Sequence, residues 1–167
     1  MNRVGQFFRA VGARLTEEDL RYIGAYLPSE AQGLFFCMSR ADQCHALHVA
    51  RTAEAMAEGE PVDREFLIRC ALLHDVGRTK KDMGVPGKVL AVLLHALAPE
   101  MSRAWAGKGA WPGHILHVYY HHPEIGAEKL EKAGFPEEAD IVRFHHRPPQ
   151  MGDLPALRIL READERN

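Results

Sequence analysis

The sequence is poor in cysteine and has no long hydrophobic run and no excess of positive charge. Its three cysteines, Cys37, Cys44 and Cys70, form no C-x-x-C pair. An odd number of such cysteines favours neither a disulfide framework nor a thiolate zinc site, and it is typical of a reducing compartment. The first residues also lack the continuous apolar segment of a secretory signal. We therefore expect a cytoplasmic protein.

Two further absences limit the classes of partner. The most apolar run, Val89–Ala98, is far shorter than the ~20 residues that a membrane-spanning helix needs. The formal net charge is −2 and the isoelectric point is near 6.5, so the chain lacks the basic footprint of a nucleic-acid-binding domain. The sequence thus predicts neither a membrane nor a duplex nucleic acid as partner, and it leaves the oligomeric state open.

Histidine, in contrast, is abundant. The chain has ten histidines in 167 residues, and six of them lie between His114 and His146. Apolar residues make up 46% and charged residues 26%, which is ordinary globular usage. A chain of this length is expected to form one domain, residues 1–167.

Helical periodicity and helix-end signals recur along the chain, whereas alternating β-branched runs are absent. The sequence therefore predicts an all-α helical bundle. Thr16, Ser29, Asp42 and Asp63 are expected N-caps, and the glycine-rich residues 107–113 are expected to form a loop. The predicted helices cover residues 4–14, 16–27, 29–38, 42–58, 63–76, 87–98, 115–121, 123–133, 136–146 and 154–165.

Several of these helices place an ionisable side chain where an apolar stripe would continue. Residues four apart share a helix face, so Leu67 and Ala71 lead to Asp75. Similar stripes lead to His74, His145, His146 and Asp164, and His45 heads another. One histidine on an apolar face is more often a hydrogen-bonded core residue. Acids and imidazoles on several helices together favour a metal centre, because buried carboxylates need a counter-charge.

Five segments occur in the order DQCHALHVA, ALLHDVGR, HHPEIGAEKL, VRFHH and LREAD. Together they resemble the HD-domain superfamily of metal-dependent phosphohydrolases, in its HDIG-like form. The resemblance extends from Asp42 to Asp164, and it implies an α-helical bundle of the HD-domain type. Residues 42–165 would form the metal-binding core, with residues 1–40 as helices packed on it.

The resemblance also implies a set of metal ligands. One metal would be held by His45, His74, Asp75 and Asp164, and a second by His122, His145 and His146, with Asp75 bridging the two. The family pattern H-P-x-x-G-A starts at His122, which favours His122 over His121. The choice stays open, because His114, His117 and His121 share a helix face and form a rival ligand set. His48 and His95 have no assigned role.

Arg78 stands where many relatives have lysine after H-D-x-G. The resemblance implies that Arg78 contacts a substrate phosphate and that His74 and Asp75 are catalytic, whereas the simpler alternative makes Arg78 a solvated surface charge. The implied cofactor is a divalent metal, two ions per chain. Iron or manganese is expected first, with zinc, cobalt, nickel or magnesium as alternatives.

The resemblance therefore implies a phosphohydrolase that uses a metal-activated water on a small, nucleotide-like phosphorylated substrate. Two other functions stay open. Some HD-domain relatives are di-iron oxygenases, and the same ligand types suit redox-active iron. A non-catalytic module that binds or senses a nucleotide is the third possibility.

Overall fold

The computed structural model describes residues 14–81, 85–107 and 111–167. Within these ranges the chain forms nine α-helices and no strand, apart from an isolated bridge between Met38 and Thr79. The prediction of an all-α fold is confirmed. The helix predicted over residues 4–14 lies outside the described ranges except for its last residue, Arg14.

The helices are α1 (Glu17–Tyr26), α2 (Ser29–Cys37), α3 (Arg40–Met56), α4 (Arg64–Leu73), α5 (Val85–Leu97), α6 (Pro99–Trp105), α7 (Gly113–Lys132), α8 (Pro136–Phe144) and α9 (Pro155–Arg166). The short helix α6 was not predicted. Pro99 directly follows the helix predicted over residues 87–98, and it is the first residue of α6. Proline is favourable there because the first helical N–H needs no partner within the helix.

Two of the four predicted N-caps are observed. Ser29 is the first residue of α2 rather than its cap, and Pro28 takes the N-cap position. The Thr16 hydroxyl accepts a hydrogen bond from the Asp19 backbone at 3.2 Å, and the Asp63 carboxylate caps α4. For α3 the prediction is wrong, because Ser39 caps the helix and accepts from the Asp42 backbone at 3.3 Å. Asp42 lies in the first turn, where a negative charge favours the helix dipole.

Helix α4 lies at the centre of the main core, in contact with α1, α2, α3, α8 and α9. Its buried residues are Leu67, Ile68, Cys70, Ala71, Leu72 and Leu73. They surround most of the helix, as expected for a helix that is covered on most sides. The residues that directly follow Leu73 therefore lie in the interior of the molecule.

A second apolar cluster forms where α5 and α6 pack against the first half of α7. Its buried members are Ala91, Ala106 and Leu116, far fewer than in the main core. We call α5, α6 and residues 113–120 the α5–α6 cluster. In the described ranges, no helix combines the length and apolar character needed to cross a membrane.

Helix α7 is continuous, so the two helices predicted over residues 115–121 and 123–133 are one. Pro123 lies inside this helix and cannot donate the hydrogen bond that the Tyr119 carbonyl would otherwise accept. The ring Nδ1 of His122 donates to that carbonyl instead, at 2.9 Å. The predicted break is wrong because this side chain supplies the donor that proline lacks.

Candidate metal centre

The end of α4 places His74 and Asp75 in the interior. The helix ends at Leu73, earlier than predicted, and both following side chains are about 1% exposed. The apolar stripes of α4 thus lead to two buried ionisable residues. Nδ1 of His74 donates to the Ala71 carbonyl at 2.8 Å, which leaves the lone pair on Nε2.

The same local arrangement holds two more histidines. Nδ1 of His122 donates to the Tyr119 carbonyl at 2.9 Å, and Nδ1 of His145 donates to the Val142 carbonyl at 2.6 Å. A carbonyl can only accept, so each Nδ1 carries the proton. The lone pair of each Nε2 is then available to a metal, and the backbone fixes the ring orientation.

Helix α8 ends at Phe144, so His145 and His146 follow the helix rather than complete it. His145 is 2% exposed, whereas His146 is exposed. Both residues lie beyond the helix end, and of the two only His145 is buried. The His146 ring lies at the open side, with its centroid 4.0 Å from that of His145 and 5.0 Å from that of His122.

Helices α3 and α9 contribute a histidine–carboxylate pair. Nε2 of His45 donates to Oδ1 of Asp164 at 2.9 Å, and the same oxygen lies 3.7 Å from Nε2 of His74. The side chains of His45 and Asp164 keep 28% and 19% of their surface exposed. This pair therefore lies at the edge of the buried His74–Asp75 segment.

The potential ligand atoms form two groups of three, and within each group the atoms lie within 4.8 Å of one another. The first group is His45, His74 and Asp164, and the second group is His122, His145 and His146. Asp75 contacts both, since its Oδ2 is 3.7 Å from Nε2 of His74 and its Oδ1 is 3.3 Å from Nε2 of His122. The structure thus brings together all seven residues of the implied ligand set, in the implied division.

The second group is held in the uncharged form that metal binding requires. Burial, with the neighbouring rings of His146 and His74, lowers the pKa of His145 to about 3. Burial and the Arg78 guanidinium hold the pKa of His122 well below its ordinary value, and burial lowers the pKa of His146. Protons therefore compete little with a metal for these rings at neutral pH.

The two carboxylates of the centre, Asp75 and Asp164, are held in their charged form although they are largely buried. Burial by itself would raise the pKa of Asp75, but the Arg78 guanidinium and the neighbouring imidazoles overcome it and hold the pKa well below its ordinary value. For Asp164, burial again acts to raise the pKa, but the hydrogen bond from His45 and the electrostatic interaction with the nearby His74 ring outweigh burial and lower the pKa. The side chains of Asp75 and Asp164 are therefore both anionic at neutral pH and can ligate a cation.

Nε of Arg78 is buried without a hydrogen-bond partner, and so are three potential ligand atoms of the centre. These three are Nε2 of His74, Nε2 of His145 and Oδ1 of Asp75. Buried polar atoms nearly always have a partner, so a cluster of orphan atoms needs an explanation. All three are good metal-ligand atoms, and divalent metals accept the mixed imidazole and carboxylate set. The residues present therefore fit a metal centre.

Arg78 lies within this centre rather than on the surface. Its Nη1 donates to Oδ2 of Asp75 at 2.7 Å and its Nη2 donates to Nε2 of His122 at 2.9 Å. The side chain is only 17% exposed. The alternative of a solvated surface charge is therefore wrong.

Sequence reasoning missed the part played by Gly77. A Cβ at this position would lie 2.0 Å from the His122 carbonyl oxygen, and one on Gly126 would lie 3.1 Å from the Gly77 nitrogen. Nζ of Lys129 also donates to the Val76 carbonyl at 3.2 Å. The turn after His74–Asp75 thus packs directly on the backbone of α7. The glycines of the H-D-x-G and H-P-x-x-G-A motifs were the available signal.

An ion-pair cluster between α8 and α9 was also missed. The Asp153 carboxylate accepts from Arg147 at 2.6 Å and from Arg161 at 2.7 Å. Arg161 also donates to the Phe144 carbonyl at 3.3 Å, and Arg147 lies over the Phe144 ring. The cluster therefore fixes the end of α8, directly before His145. No local sequence pattern predicts that Arg147 and Arg161 both bind Asp153.

The remaining histidines lie outside the two groups. His48, His114, His117 and His121 are exposed, and Nδ1 of the half-buried His95 lies 2.9 Å from the Tyr120 hydroxyl. In the part of the chain that the structure describes, none of them joins a third group of potential ligands. Between the two adjacent histidines, His122 lies in the centre and His121 does not.

The sequence model of one protein family, described as HD domain, matches residues 43–166, which is most of the 167-residue chain. The match includes every residue of the two groups as well as Asp75 and Arg78. Comparison with curated proteins and with solved structures finds no match.

Proposed function

Because the chain belongs to the HD-domain family, whose members are generally metal-dependent hydrolases, we propose that it is a phosphohydrolase. Its substrate would be a phosphate ester of a nucleotide or of a related small molecule. The observation that carries this proposal is the contact of Asp75 with two adjacent groups of potential metal ligands. A carboxylate between two such groups is the arrangement that a bridged pair of metals needs.

Each group has a distinct role in this proposal. His45, His74 and Asp164 would hold one ion, and His122, His145 and His146 the other, with Asp75 shared. Iron or manganese is the metal we expect. Bound metals would supply a water of lowered pKa at neutral pH and would offset the charge of the phosphate oxygens.

The protein side chains supply orientation and charge. The backbone carbonyls that hold Nδ1 of His74, His122 and His145 keep each ring in one tautomer, so no reorientation is required during the reaction. Substrate would enter where His146 is exposed and where His45 and Asp164 keep part of their surface. Arg78, at the same centre, would pair with the phosphate through its guanidinium.

The test is metal content and hydrolysis in the full chain, purified without oxygen. We expect two metal ions per chain, together with hydrolysis of at least one nucleoside monophosphate, cyclic nucleotide or aryl phosphate, which a chelator abolishes. The variant His74→Ala/Asp75→Ala should lose metal and lower the rate by more than about a hundredfold, because even outer partners of metal ligands affect metal affinity 10–100-fold.

His48→Ala is the matched control, since His48 is exposed one turn from His45, and it should keep both metal and activity. A His74→Ala/Asp75→Ala protein with full activity would refute the proposal. Oxygen consumption by the iron-loaded protein without phosphate release would favour the oxygenase alternative. Nucleotide binding without turnover at full metal occupancy would favour a sensing module.

A further inference from the structure

Arg78 binds one potential ligand atom of the second group, Nε2 of His122, and Oδ2 of the shared carboxylate Asp75, the oxygen that lies 3.7 Å from Nε2 of His74. Its Nη2 donates to Nε2 of His122 at 2.9 Å, while its Nη1 donates to Asp75 at 2.7 Å. Nδ1 of His122 is committed to the Tyr119 carbonyl, so Nε2 carries the only lone pair of this ring. A lone pair that accepts a hydrogen bond from a guanidinium cannot bind a metal at the same time.

Charge opposes joint occupancy as well. A guanidinium stays protonated at any working pH, and the His122 and Asp75 side chains are only 3% and 2% exposed. Two cations in such a buried place repel strongly, because little solvent screens them. Arg78 must therefore leave Asp75 and His122 before a second ion can bind.

Within the described ranges, the three ligands of the first group have no ion pair with Arg78. Among the described residues, the ion pairs of Asp164 are those with His45 and His74, and Arg78 forms its ion pair with Asp75. An ion held by His45, His74 and Asp164 must displace the Nε2 proton that His45 donates to Asp164, which an imidazole can move to its other nitrogen or lose, but it does not need the guanidinium of Arg78 to leave any of these three residues. The two groups are unequal although both have three potential ligands.

We propose that Arg78 competes with the second metal ion for Asp75 and His122. The ion at His45, His74 and Asp164 binds first and tightly. The ion at His122, His145 and His146 binds more weakly, since it must displace the guanidinium. This inference rests on the metal centre of the proposed function, but it concerns binding and does not require turnover.

The test is a titration of chelator-stripped protein with Mn²⁺ by calorimetry, with bound ions counted after equilibrium dialysis. The variant Arg78→Met removes the guanidinium and keeps an unbranched side chain. We expect its second ion to bind at least about tenfold more tightly than in the unmodified protein, because the competing cation is gone. The first ion should change less.

Arg158→Met is the matched control, because Arg158 forms a surface ion pair with Glu60 and should leave both affinities unchanged. The variant Arg78→Met/His122→Ala should return to one tight ion, which would assign the gain to the second group. If Arg78→Met fails to fold, Arg78→Lys keeps the charge but not the two-pronged contact, and it should tighten the second ion to a smaller extent.

Equal affinity for the second ion in the unmodified and Arg78→Met proteins would overturn the competition, and so would two equally tight ions in the unmodified protein. Failure of the proposed function has a different signature. Two bound ions without hydrolysis of any phosphate ester would refute the phosphohydrolase and leave the competition standing.

Discussion

At the scale of single residues, the centre depends on where each imidazole proton lies. His74, His122 and His145 all donate Nδ1–H to the carbonyl three residues earlier. The bond is local, so each histidine is oriented by the backbone of its own helix. Tertiary packing then only has to bring the three Nε2 atoms together.

Gly77 is the residue at which this packing is tightest. We predict that Gly77→Ala lowers the free energy of unfolding by about 1–3 kcal/mol, the usual cost of overpacking, because its Cβ would meet the His122 backbone at 2.0 Å. Urea denaturation of the metal-free protein measures the change.

Gly33→Ala is the matched control for this substitution. Gly33 lies inside α2 with nothing within 4 Å of its Cβ position, so alanine should stabilise the protein by about 0.5–1 kcal/mol. Equal effects of the two substitutions would contradict the close approach at Gly77.

At the scale of elements, the second group depends on how α8 ends. Helix α8 stops at Phe144, and the cluster of Asp153, Arg147 and Arg161 holds that end against α9. Arg161 lies one turn before Asp164 on α9. One cluster therefore positions ligands of both groups, the His145–His146 pair and Asp164.

This cluster predicts a pH dependence. The backbone N–H of Gln150 and the Arg161 guanidinium lower the pKa of Asp153 from 3.8 to about 2. A carboxyl with a lowered folded pKa adds stability that is complete above its unfolded pKa and is lost as the pH falls toward the folded value. The contribution of Asp153 should therefore disappear between about pH 4 and pH 2.

Asp153→Asn isolates this contribution, because asparagine keeps the shape without the charge. We expect the variant to be less stable than the unmodified protein at pH 5–6, and the difference between them to shrink as the pH falls through this range. Urea unfolding at several pH values compares them, and a difference that stays constant with pH would show that the Asp153 charge does not contribute.

At the scale of the whole molecule, the chain has two unequal apolar clusters. The main core surrounds α4, whereas the contacts of the α5–α6 cluster centre on three buried apolar residues, Ala91, Ala106 and Leu116. Regions with few buried contacts open locally at lower free energy than the core does. We predict faster amide hydrogen exchange in α5 and α6 than in α3 and α4, measured by mass spectrometry in the metal-free protein.

Leu116→Ala tests the separation of the two clusters. It should speed exchange in α5 and α6 and leave α4 protected, whereas Leu72→Ala in the main core should lower global stability by about 2–5 kcal/mol. Uniform protection across α4, α5 and α6 would mean that the chain opens as one unit.

Much of the fold and of the site is predictable from local sequence. The all-α class follows from periodicity and caps, and the positions of His74, Asp75 and His145 follow from apolar stripes that end in ionisable residues. The errors are local as well. The predicted break in α7 fails because the His122 ring satisfies the carbonyl that Pro123 leaves free. Helix α8 ends two residues before its predicted end at residue 146, and His146 is exposed.

The sequence by itself determined which residue types are available and on which helices they lie, because helix periodicity and ring-to-carbonyl bonds act over a few residues. Only the tertiary structure decided that Asp75 lies between two groups, that Arg78 occupies His122 and Asp75, and that Gly77 must be glycine. Those facts depend on distances between helices that are far apart in the chain, and such distances are set by how the apolar faces pack together.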